Sequence, residues 1–597
     1  MKKNIKNIEI VRHSISHIMA MAVKKLYPEV KFGIGPAIEN GFYYDFDFSN
    51  VILNQQAKDL AKRDSSSPSA PQNDRISPDD LPKIEKEMQA IIKQNLDFIK
   101  KEISQTEAKK LFADQPYKIE LIEELGEQKI STYQSGDFTD LCAGPHIEST
   151  KKINTKAFKL SKIAGAYWRG DEKNKMLTRV YGLAFATEKE LADYLKMLEE
   201  AEKRDHRKLG ANLDLFSFHS ESPGMPFWHN NGLIIFNNLV EHWREIQKEH
   251  NYMEVKLPPV LNVSLWKQSG HYDHYKNDMF FTENDGVEMA LRPMDCPGTI
   301  LFYKERPHSY SELPIRIGEL GTVYRNEKSG ELHGLMRVQQ ITQDDAHIVI
   351  AENMIEKEVV EVLGILEKIY KPFSLKREFF LSTRPDDAMG DIETWRKAET
   401  ALKNALDKSK IKYGLKEKDG AFYGPKIDVQ MYDSLGRTWQ SGTIQLDFFM
   451  PKNFGMEYID KEGKKQRPVM IHRALMGSLE RFIGILLEHY AGALPVWLSP
   501  IQTIILPIGQ NHQEYGQEIL GLLKQNNIRA TLNLDNETIG KKIREAEMQK
   551  IPYLLVVGDK EVKAKSVAVR QRGAGDKGAM AIDKFIAKIR EEVVNKK

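Results

Sequence analysis

The sequence predicts a multidomain α+β protein, and three observations lead to that prediction. The chain has 597 residues, too many for one hydrophobic core, because a domain usually takes about 100–200 residues. Its 41% hydrophobic and 29% charged residues are typical of a folded, soluble chain. Helical and strand patterns alternate along its whole length. We expect domains at residues 1–186, 210–497 and 498–597, with a linker helix at 187–209.

The N-terminal region mixes both kinds of pattern. Residues 8–27 carry apolar side chains at helical spacing and stop before Pro28. The stretch KFGIGPAIENGFYYDFDF that follows is typical of strands and a turn. Residues 61–80 are rich in serine, proline and aspartate, which indicates a mobile insertion or loop. A helix over 79–98 and mixed patterns to about residue 185 complete a predicted α/β domain.

The rest of the chain changes character twice. Residues 187–208 have the pattern of a charged amphipathic helix, which favours a linker. From about 210 to 495 the strands look antiparallel, with aromatic residues and turn signals, as in QSGTIQLDFFM. In the last hundred residues, TIILPIG, IRATLNLD and PYLLVVG read as strands that alternate with helices, one of them at 540–550. This β-α-β-α-β order predicts a separate, doubly wound α/β domain.

Composition excludes several classes of protein. The net charge is only +2, so a nucleic acid would have to bind local basic patches. No apolar run reaches the roughly 20 residues that span a bilayer, and the first residues, MKKNIKNIEIVRHS, lack the apolar core of a signal peptide. The two cysteines, Cys142 and Cys296, cannot cross-link a chain of this size, so we expect a cytoplasmic protein with no membrane partner.

Three residues in the middle of the chain are candidate metal ligands. Cys296 lies in LRPMDCPGT, His347 in TQDDAHIVI and His472 in PVMIHRALMGSLERF. Separately, each has an ordinary explanation, as a small buried cysteine or a core or surface histidine. A catalytic zinc ion takes three protein ligands and keeps a fourth position open for substrate. Spacing alone does not establish such a site, because the three segments are far apart.

Three arginines favour a nucleotide site in the same region. Arg325 lies in TVYRNEKSG, Arg337 in LHGLMRVQQ, and Arg481 ends GSLERF, which reads as a helix of small and apolar residues. A charge in an apolar segment is costly unless it has a partner, and a triphosphate is one, because the guanidinium fork matches phosphate oxygens. The chain has no GxxxxGK[ST] loop, so it is not a P-loop enzyme.

These motifs carry a resemblance to a known family. R-N-E followed by a loop and a second arginine resembles motif 2 of the class II aminoacyl-tRNA synthetases, G-S-L-E-R resembles motif 3, and VKLPPV resembles motif 1, which lies at the dimer interface. Within that class, the chain resembles the threonyl-tRNA synthetases in RPMDCPG, RNEKSGELHGLMR, TQDDAH, FYGPKID, WQSGTIQLDF and MIHRALMGSLERFIGIL, in order and over nearly the whole chain.

The resemblance implies a fold, an activity and partners. It implies an α/β editing domain, a class II catalytic domain built on an antiparallel sheet, and a C-terminal α/β anticodon-binding domain. The implied enzyme activates L-threonine with ATP and Mg²⁺ to threonyl-adenylate and transfers it to tRNA(Thr). A homodimer is implied as well. The usual bacterial pattern has a small ubiquitin-like domain before the editing domain; this chain is expected to lack it and to have a longer loop at about 50–80.

Residue roles in the catalytic domain follow from the same resemblance. It implies one Zn²⁺ per subunit, held by Cys296, His347 and His472. It places Arg325, Arg337, Lys426 and Arg481 at ATP or the adenylate, and the following residues in the substrate pocket: Met294, Gln343, Asp345, Tyr423, Gln440, Gln445 and Ser478.

The chain departs from the family pattern at the adenine pocket. Ile341 stands where the family has an aromatic residue that stacks on adenine, and Gln339 and Gln340 also replace more usual residues. We expect weaker or altered ATP affinity without loss of function.

The choice of zinc has a physical reason and a consequence. Threonine and valine are nearly isosteric, and an apolar pocket does not strongly reject an added hydroxyl. A metal with an open position binds the amino and hydroxyl groups together, which rejects valine. Serine offers both groups and lacks only a methyl, worth roughly 1–3 kcal/mol. That margin is too small for translation, so a second, hydrolytic site against serine is expected.

An N-terminal cluster is the candidate for that second site. His13 and His17 are four residues apart and share a helix face, and Cys142 and His146 lie in DFTDLCAGPHIES. From the residues alone, H-x3-H with C-x3-H indicates a metal site, or else a solvent-facing histidine pair and a buried cysteine. The resemblance implies the editing site, a pattern shared with alanyl-tRNA synthetases, which hydrolyses seryl-tRNA(Thr) without a required metal. Asp140 and Lys118 are further candidates for this pocket.

Four residues of the last domain are candidate anticodon contacts. The resemblance places Asn536, Arg544, Glu561 and Arg570 where the family contacts anticodon bases. Such residue types on an α/β surface are usually only solvated, whereas contacts to base edges would specify the tRNA.

Two other functions remain open from the sequence. The chain could be an RNA-binding regulator or stress-form paralogue that keeps the fold but charges tRNA poorly, and its marks would be Ile341 and the expected lack of the N-terminal domain. It could also be a free-standing editing hydrolase whose synthetase half only holds tRNA; the intact metal ligands and arginines argue against this.

Overall fold

The computed structural model describes residues 2–49, 76–126, 129–433 and 436–597. It divides into two compact units, Met1–Leu198 and Glu199–Lys597. Most of the insertion predicted at 61–80, and of the long loop at about 50–80, lies outside the described residues. Within them, no helix has both the length and the apolar character that a bilayer crossing needs.

The N-terminal unit packs helices on antiparallel sheets. Strands β1, β3, β8 and β7 form one sheet, with β2 paired to β3, and β4, β5 and β6 form another. Buried apolar residues of α1 and α2 pack with β3 side chains such as Phe42 and Phe46. The helix predicted over 79–98 ends at Ile92, before β4. The bounds are α1 Lys2–Leu26, β1 Lys31–Phe32, β2 Ala37–Ile38, β3 Gly41–Asp47, α2 Leu81–Ile92, β4 Ile99–Ile103, α3 Gln105–Leu111, α4 Pro116–Glu124, β5 Ile130–Ser135, β6 Phe138–Leu141, β7 Phe158–Tyr167 and β8 Met176–Ala184.

Two helices occupy the predicted linker. Helix α5 spans Glu188–Arg204 and α6 spans His206–Asn212. The break falls at Asp205, whose side chain accepts a hydrogen bond from the backbone N–H of Arg207 and so caps α6. The single helix expected at 187–209 is therefore two, and the domain boundaries stay predictions.

An eight-stranded sheet forms the centre of the second unit. Its order is β11-β15-β16-β23-β20-β19-β17-β18, antiparallel except for the outer pairs β11–β15 and β17–β18. Helices α11 (Ile355–Tyr370) and α14 (Leu479–His489) contribute buried apolar faces to its core. The strands are β9 Phe216–Ser217, β10 Phe227–Trp228, β11 Met253–Glu254, β12 Val260–Asn262, β13 Phe281–Asn284, β14 Val287–Leu291, β15 Ile315–Tyr324, β16 Gln340–Ile350, β17 Arg377–Ser382, β18 Tyr413–Lys416, β19 Lys426–Tyr432, β20 Thr438–Asp447, β21 Tyr458–Ile459, β22 Lys465–Gln466 and β23 Val469–Ser478.

Helices surround this sheet, and a smaller sheet lies apart from it. Strands β12, β14 and β13 form a separate antiparallel sheet. The helices are α7 Asn230–Glu249, α8 Val263–Gln268, α9 His271–Tyr275, α10 Cys296–Tyr303, α11 Ile355–Tyr370, α12 Ile392–Lys408, α13 Phe449–Asn453 and α14 Leu479–His489.

The C-terminal region has a mixed sheet of order β25-β24-β26-β27-β28. The first three strands are parallel, as expected, but β27 and β28 are antiparallel to their neighbours. The sequence analysis predicted neither β27 nor β28; β28 is exposed and contains two glycines, so it lacks an apolar pattern. The bounds are β24 Thr503–Pro507, α15 Gln513–Gln525, β25 Ala530–Leu532, α16 Ile539–Met548, β26 Tyr553–Val557, α17 Asp559–Ala564, β27 Ser566–Gln571, β28 Gly575–Ala581 and α18 Ile582–Val594.

Candidate active site and N-terminal site

Three segments bring the predicted zinc ligands together. His347 on β16 lies directly across the sheet from His472 on β23, and Cys296 is the first residue of α10. One ligand atom from each of the three residues lies within 4.8 Å of the others, and all three residues are buried. Pairing of two strands that are far apart in sequence therefore brings the candidate ligands together, which sequence spacing could not show.

The donor atoms fit a zinc ion. Among the described residues, His347 Nε2 and His472 Nδ1 have no hydrogen-bond partner, and a buried polar atom without a partner is costly. His472 Nε2 donates to Asp447 Oδ2 at 3.0 Å, so Nδ1 carries no hydrogen and has a free lone pair. One sulfur and two imidazole nitrogens form a typical zinc set, and a carboxylate behind a ligating histidine is its usual second partner.

The protonation states agree with this fit. Burial, followed by the neighbouring His472, lowers the pKa of His347 well below its ordinary value, so its imidazole is neutral. Burial and nearby carboxylates raise the pKa of the Cys296 thiol. A bound cation reverses that effect, because it stabilises the thiolate.

A cavity of about 420 Å³ joins the ligand cluster to the predicted nucleotide side. Cys296 and His472 line it, as does Ile341. A neighbouring cavity of about 390 Å³ is lined by Arg337 and shares Arg325 and Met294 with the first. The other predicted residues lining the larger cavity are Met294, Arg325, Gln343, Asp345, Tyr423, Lys426, Gln440, Gln445, Ser478 and Arg481.

The arginines place positive charge at the two cavities. Burial, together with the positive charges of Arg325 and Arg337, lowers the pKa of Arg481 to about 10. Arg481 Nε donates to Met336 O at 2.8 Å, and Nη1 donates to Gln440 O at 2.8 Å. Three cations that repel one another around an open cavity favour binding of a polyanion.

The sequence had indicated that Arg481 ends a helix, and this expectation is wrong. It lies in the first turn of α14, because Gly477 and Ser478 still belong to β23. Ser478 Oγ accepts a hydrogen bond from the Arg481 backbone N–H at 3.2 Å and caps the helix. The strand-to-helix junction therefore aims Arg481 into the cavity.

Polar pairs fix the remaining pocket side chains. Lys426 Nζ lies 3.1 Å from Asp428 Oδ2, and Gln440 Nε2 donates to Asp428 Oδ1 at 2.6 Å. Tyr423 donates its hydroxyl hydrogen to Gln445 Oε1. These side chains are thus held in place before any substrate binds.

The sequence analysis missed residues that brace the site. Asp344 is fully buried, and its carboxylate accepts hydrogen bonds from the backbone N–H groups of Leu475 and Gly477. The guanidinium of Arg473 donates to Asp344 O at 2.9 Å. Trp439 lies under the Arg481 guanidinium, 5.5 Å from ring centroid to Cζ. For Arg473, the available signal was a charged residue inside the apolar segment MIHRALMGS.

The N-terminal cluster is equally well assembled. Cys142 Sγ lies 3.4 Å from His13 Nε2 and 3.3 Å from His146 Nε2. His17 is on the same face of α1, and the four possible ligand atoms lie within 4.8 Å of one another. The structure therefore brings together all four residues that the sequence had singled out.

Hydrogen bonds define the tautomers of two histidines. His13 Nδ1 lies 3.3 Å from the carbonyl of Pro145, so it must donate. His146 Nδ1 lies 3.1 Å from Ser14 Oγ, and it also donates, because Ser14 gives its own hydrogen to Ile10 O. Both Nε2 atoms therefore present lone pairs toward Cys142.

Burial keeps these groups neutral. It lowers the pKa of His13, lowers that of His17 to about 4, and lowers that of His146 still further. It raises the pKa of the Cys142 thiol to about 11. The cysteine is therefore a thiol that can donate a hydrogen bond, not a thiolate nucleophile.

A buried ion pair lies behind the cluster. Lys118 Nζ is 2.6 Å from Asp140 Oδ1, and the Tyr44 hydroxyl donates to Asp140 Oδ2 at 2.5 Å. Burial raises the pKa of Asp140, but Lys118 and His17 lower it by more, so its net pKa is below the ordinary value. Tyr44 and Ser14 are functional-site residues that no sequence motif revealed.

The four predicted anticodon residues are not gathered in the same way. Asn536 and Arg544 are exposed, and Arg570 lies on β27. The Glu561 carboxylate accepts a hydrogen bond from Gly558 N and caps its own helix. In the described part of the chain, no hydrogen bond or ion pair joins these four residues to one another.

Comparison with known proteins agrees with the fold. The family described as "tRNA synthetase class II core domain (G, H, P, S and T)" matches residues 275–490. "Anticodon binding domain" matches 502–592, and "Threonyl and Alanyl tRNA synthetase second additional domain" matches 130–181. The class defined by the catalytic core is thus that of the class II aminoacyl-tRNA synthetases, which are ATP-dependent ligases.

Similar proteins identify the family within this class. Threonine–tRNA ligase of Clostridium tetani is 51% identical over 98% of this chain and 88% of its own length. The enzyme of Acetivibrio thermocellus is also 51% identical, again over 98% and 88%. The chain belongs to the threonine–tRNA ligase family.

Solved structures support the same fold. The RNA-binding domain of threonyl-tRNA synthetase from Cryptosporidium parvum is 41% identical with a TM-score of 0.63 and covers 65% of this chain and 98% of its own. Giardia lamblia prolyl-tRNA synthetase, at 18% identity and a TM-score of 0.53, covers 66% and 79% and shows the fold alone. The expected fold class and ligase function are confirmed.

Proposed function

We propose that the catalytic cavity activates L-threonine with ATP and Mg²⁺, and that Cys296, His347 and His472 hold a zinc ion there. The observation behind this proposal is the cavity of about 420 Å³ that joins Cys296 and His472 to Arg325 and Arg481. When bound, zinc with an open position supplies a Lewis acid that ligates the amino and hydroxyl groups of the substrate.

The protein side chains position the reacting groups. Arg325 and Arg481 bind the phosphates of ATP and cover the base, and Arg337 binds ATP from the neighbouring cavity. The threonine carboxylate then attacks the α-phosphorus of ATP. Diphosphate leaves, and threonyl-adenylate remains. The terminal ribose hydroxyl of tRNA then attacks the carbonyl carbon, and AMP leaves. Lys426, 3.1 Å from Asp428, adds positive charge on the same wall.

Threonine-dependent diphosphate exchange tests this proposal. His347→Ala should lose zinc and raise the KM for threonine, because only two ligands remain. His219→Ala, at an exposed histidine of the same unit, is the matched control and should behave as wild type. A protein that shows no threonine-dependent exchange with zinc supplied would refute the proposal.

The N-terminal cluster is proposed to hydrolyse seryl-tRNA(Thr) without a required metal. Its neutral Nε2 atoms can accept a proton from an attacking water, and the Cys142 thiol can orient that water. The buried Lys118–Asp140 pair lies beside His17, with Asp140 Oδ2 3.8 Å from His17 Nδ1.

Deacylation of seryl-tRNA(Thr) tests the second site separately. Cys142→Ala should slow deacylation and leave diphosphate exchange unchanged. Asp137→Ala, at an exposed turn before β6, is the control. Wild-type deacylation by Cys142→Ala would remove the editing assignment and leave the catalytic one intact.

The remaining partners are proposed on surface features. The anticodon of tRNA(Thr) is proposed to be contacted by four residues: Asn536, Arg544, Glu561 and Arg570.

The β12–β14–β13 sheet is the proposed homodimer surface. It carries apolar residues that are 39–44% exposed, namely Val260, Phe281 and Val287, and an exposed apolar surface favours a homodimer through this sheet. A cytoplasmic location completes the proposal. Sedimentation of Val260→Asp should show a monomer, and Arg544→Ala should raise the KM for tRNA(Thr).

A further inference from the structure

His206, the first residue of α6, is buried and bonded at both ring nitrogens. Its Nδ1 lies 2.8 Å from Glu488 Oε1, and its Nε2 lies 3.1 Å from the backbone N of Leu335. A backbone N–H can only donate, so Nε2 accepts and Nδ1 donates to Glu488. The tautomer is therefore fixed by the partners.

These partners belong to the two segments that carry nucleotide arginines. Leu335 lies in the short turn Gly334–Met336, immediately before Arg337. Glu488 lies on α14, seven residues after Arg481, and positions seven apart share a helix face. The same helix contacts the turn directly through Arg481, whose Nε donates to Met336 O at 2.8 Å, and indirectly through Glu488 and His206.

Gly334 provides an independent observation of this contact. Its φ is +51°, and a Cβ at this position would lie 2.3 Å from His206 Nε2. Since no real Cβ approaches so closely, the turn lies against the imidazole only because residue 334 is glycine.

A metal site at Asp205, His206 and Glu488 does not explain the arrangement. Both nitrogens of His206 already have partners, and the Asp205 carboxylate is bonded to the backbone and guanidinium of Arg207. The imidazole has no lone pair left for a cation.

We propose that His206 is a positioning residue for ATP: it holds the Gly334–Met336 turn against α14, and so sets Arg337 and Arg481 at the nucleotide. The turn is held at two neighbouring residues, Leu335 by His206 and Met336 by Arg481. Glu488 in turn accepts a hydrogen bond from His206. The inference rests on the proposed role of these arginines in ATP binding.

The test measures the KM for ATP in diphosphate exchange by the full chain. His206→Ala leaves the buried Leu335 N–H without an acceptor, and the KM for ATP should rise roughly tenfold. The KM for threonine and the rate of seryl-tRNA(Thr) deacylation should not change. His489→Gln, on the next residue of α14, is the matched control and should retain the wild-type KM for ATP.

Two further variants keep the test valid if His206→Ala folds poorly. Glu488→Gln retains an oxygen that accepts from His206 Nδ1 and should stay within about twofold of wild type, whereas Glu488→Leu should match His206→Ala. Gly334→Ala should raise the KM for ATP, and combining it with His206→Ala should cost less than the product of the two separate effects, because both remove one contact.

The outcomes separate this inference from the proposed function. If Arg337→Ala and Arg481→Ala raise the KM for ATP but folded His206→Ala and Glu488→Leu do not, the positioning role is refuted. An equal rise in the KM for ATP and for threonine would also refute it, as a general structural effect. If the arginine variants leave the KM for ATP unchanged, the assignment of the nucleotide site itself fails.

Discussion

Replacement of Asp447 by asparagine tests whether Asp447 prepares His472 for the proposed zinc ion. In the fold, Asp447 Oδ1 accepts hydrogen bonds from the backbone N–H groups of Phe449 and Met450, at 2.7 and 3.0 Å. Its Oδ2 accepts from His472 Nε2 at 3.0 Å. In Asp447→Asn the two backbone donors hold the amide oxygen at the Oδ1 position, so the amide nitrogen must face the imidazole.

The consequence is a change of tautomer. An amide nitrogen donates, so His472 Nε2 becomes the acceptor and its hydrogen moves to Nδ1, the atom that otherwise offers a lone pair to the metal. Loss of a correct partner behind a ligating histidine typically weakens metal binding by about 10–100-fold, which corresponds to about 1.4–2.7 kcal/mol. Arg325 and Arg481 are not touched, so ATP binding should persist.

Zinc content measured during titration with a chelator, together with the KM for threonine and for ATP, checks this expectation. Asp391→Asn is the control, because Asp391 also binds a backbone N–H and a side chain, those of Thr394, but at a helix start with no histidine. Wild-type zinc retention with a wild-type KM for threonine would refute the tautomer argument.

Three further predictions concern other parts of the chain. Lys118→Met leaves the Asp140 carboxylate buried without its ammonium partner, so the free energy of unfolding should fall by about 3–5 kcal/mol at pH 7. Because Lys118 helps to depress the folded-state pKa of Asp140, the ion pair stabilises above the unfolded pKa of about 3.9 and is lost as the pH falls through the lower folded pKa, so the deficit should be as large at pH 5 as at pH 7 and should shrink only when denaturation is measured well below pH 3.9. Ile341→Phe adds an aromatic face to the cavity and should lower the KM for ATP by about two- to twelvefold, since stacking contributes about 0.5–1.5 kcal/mol; an unchanged KM would place adenine elsewhere. Arg481→Lys keeps the charge but cannot bond both Met336 O and Gln440 O, so it should raise the KM for ATP about tenfold. Arg467→Lys, at an exposed arginine, is the control and should leave the KM for ATP unchanged.

Local sequence patterns predicted which helices and strands are present more accurately than the residues at which they begin and end. The helix expected over 8–27 is present as Lys2–Leu26, and the strand in QSGTIQLDFFM is present as Thr438–Asp447. The helix expected to reach residue 98 ends at Ile92, because Asn95 takes a left-handed conformation with a φ of +56° and Asp97 pairs with Ser149 instead of continuing the helix. The linker pattern did not reveal the break at Asp205, since a capping aspartate looks like any charged residue of an amphipathic helix.

The sequence by itself determined the residue types of the chemistry and the family. Cys296, His347 and His472, the three arginines and the His13–Cys142 cluster are all visible as motifs, because zinc and phosphate binding need particular side chains. Pairing of β16 with β23 sets His347 across from His472, and the Asp447 and Ser14 hydrogen bonds select which nitrogen of each neighbouring histidine is free. Those outcomes depend on residues that are distant in the chain and close in space, so only the tertiary structure decided them.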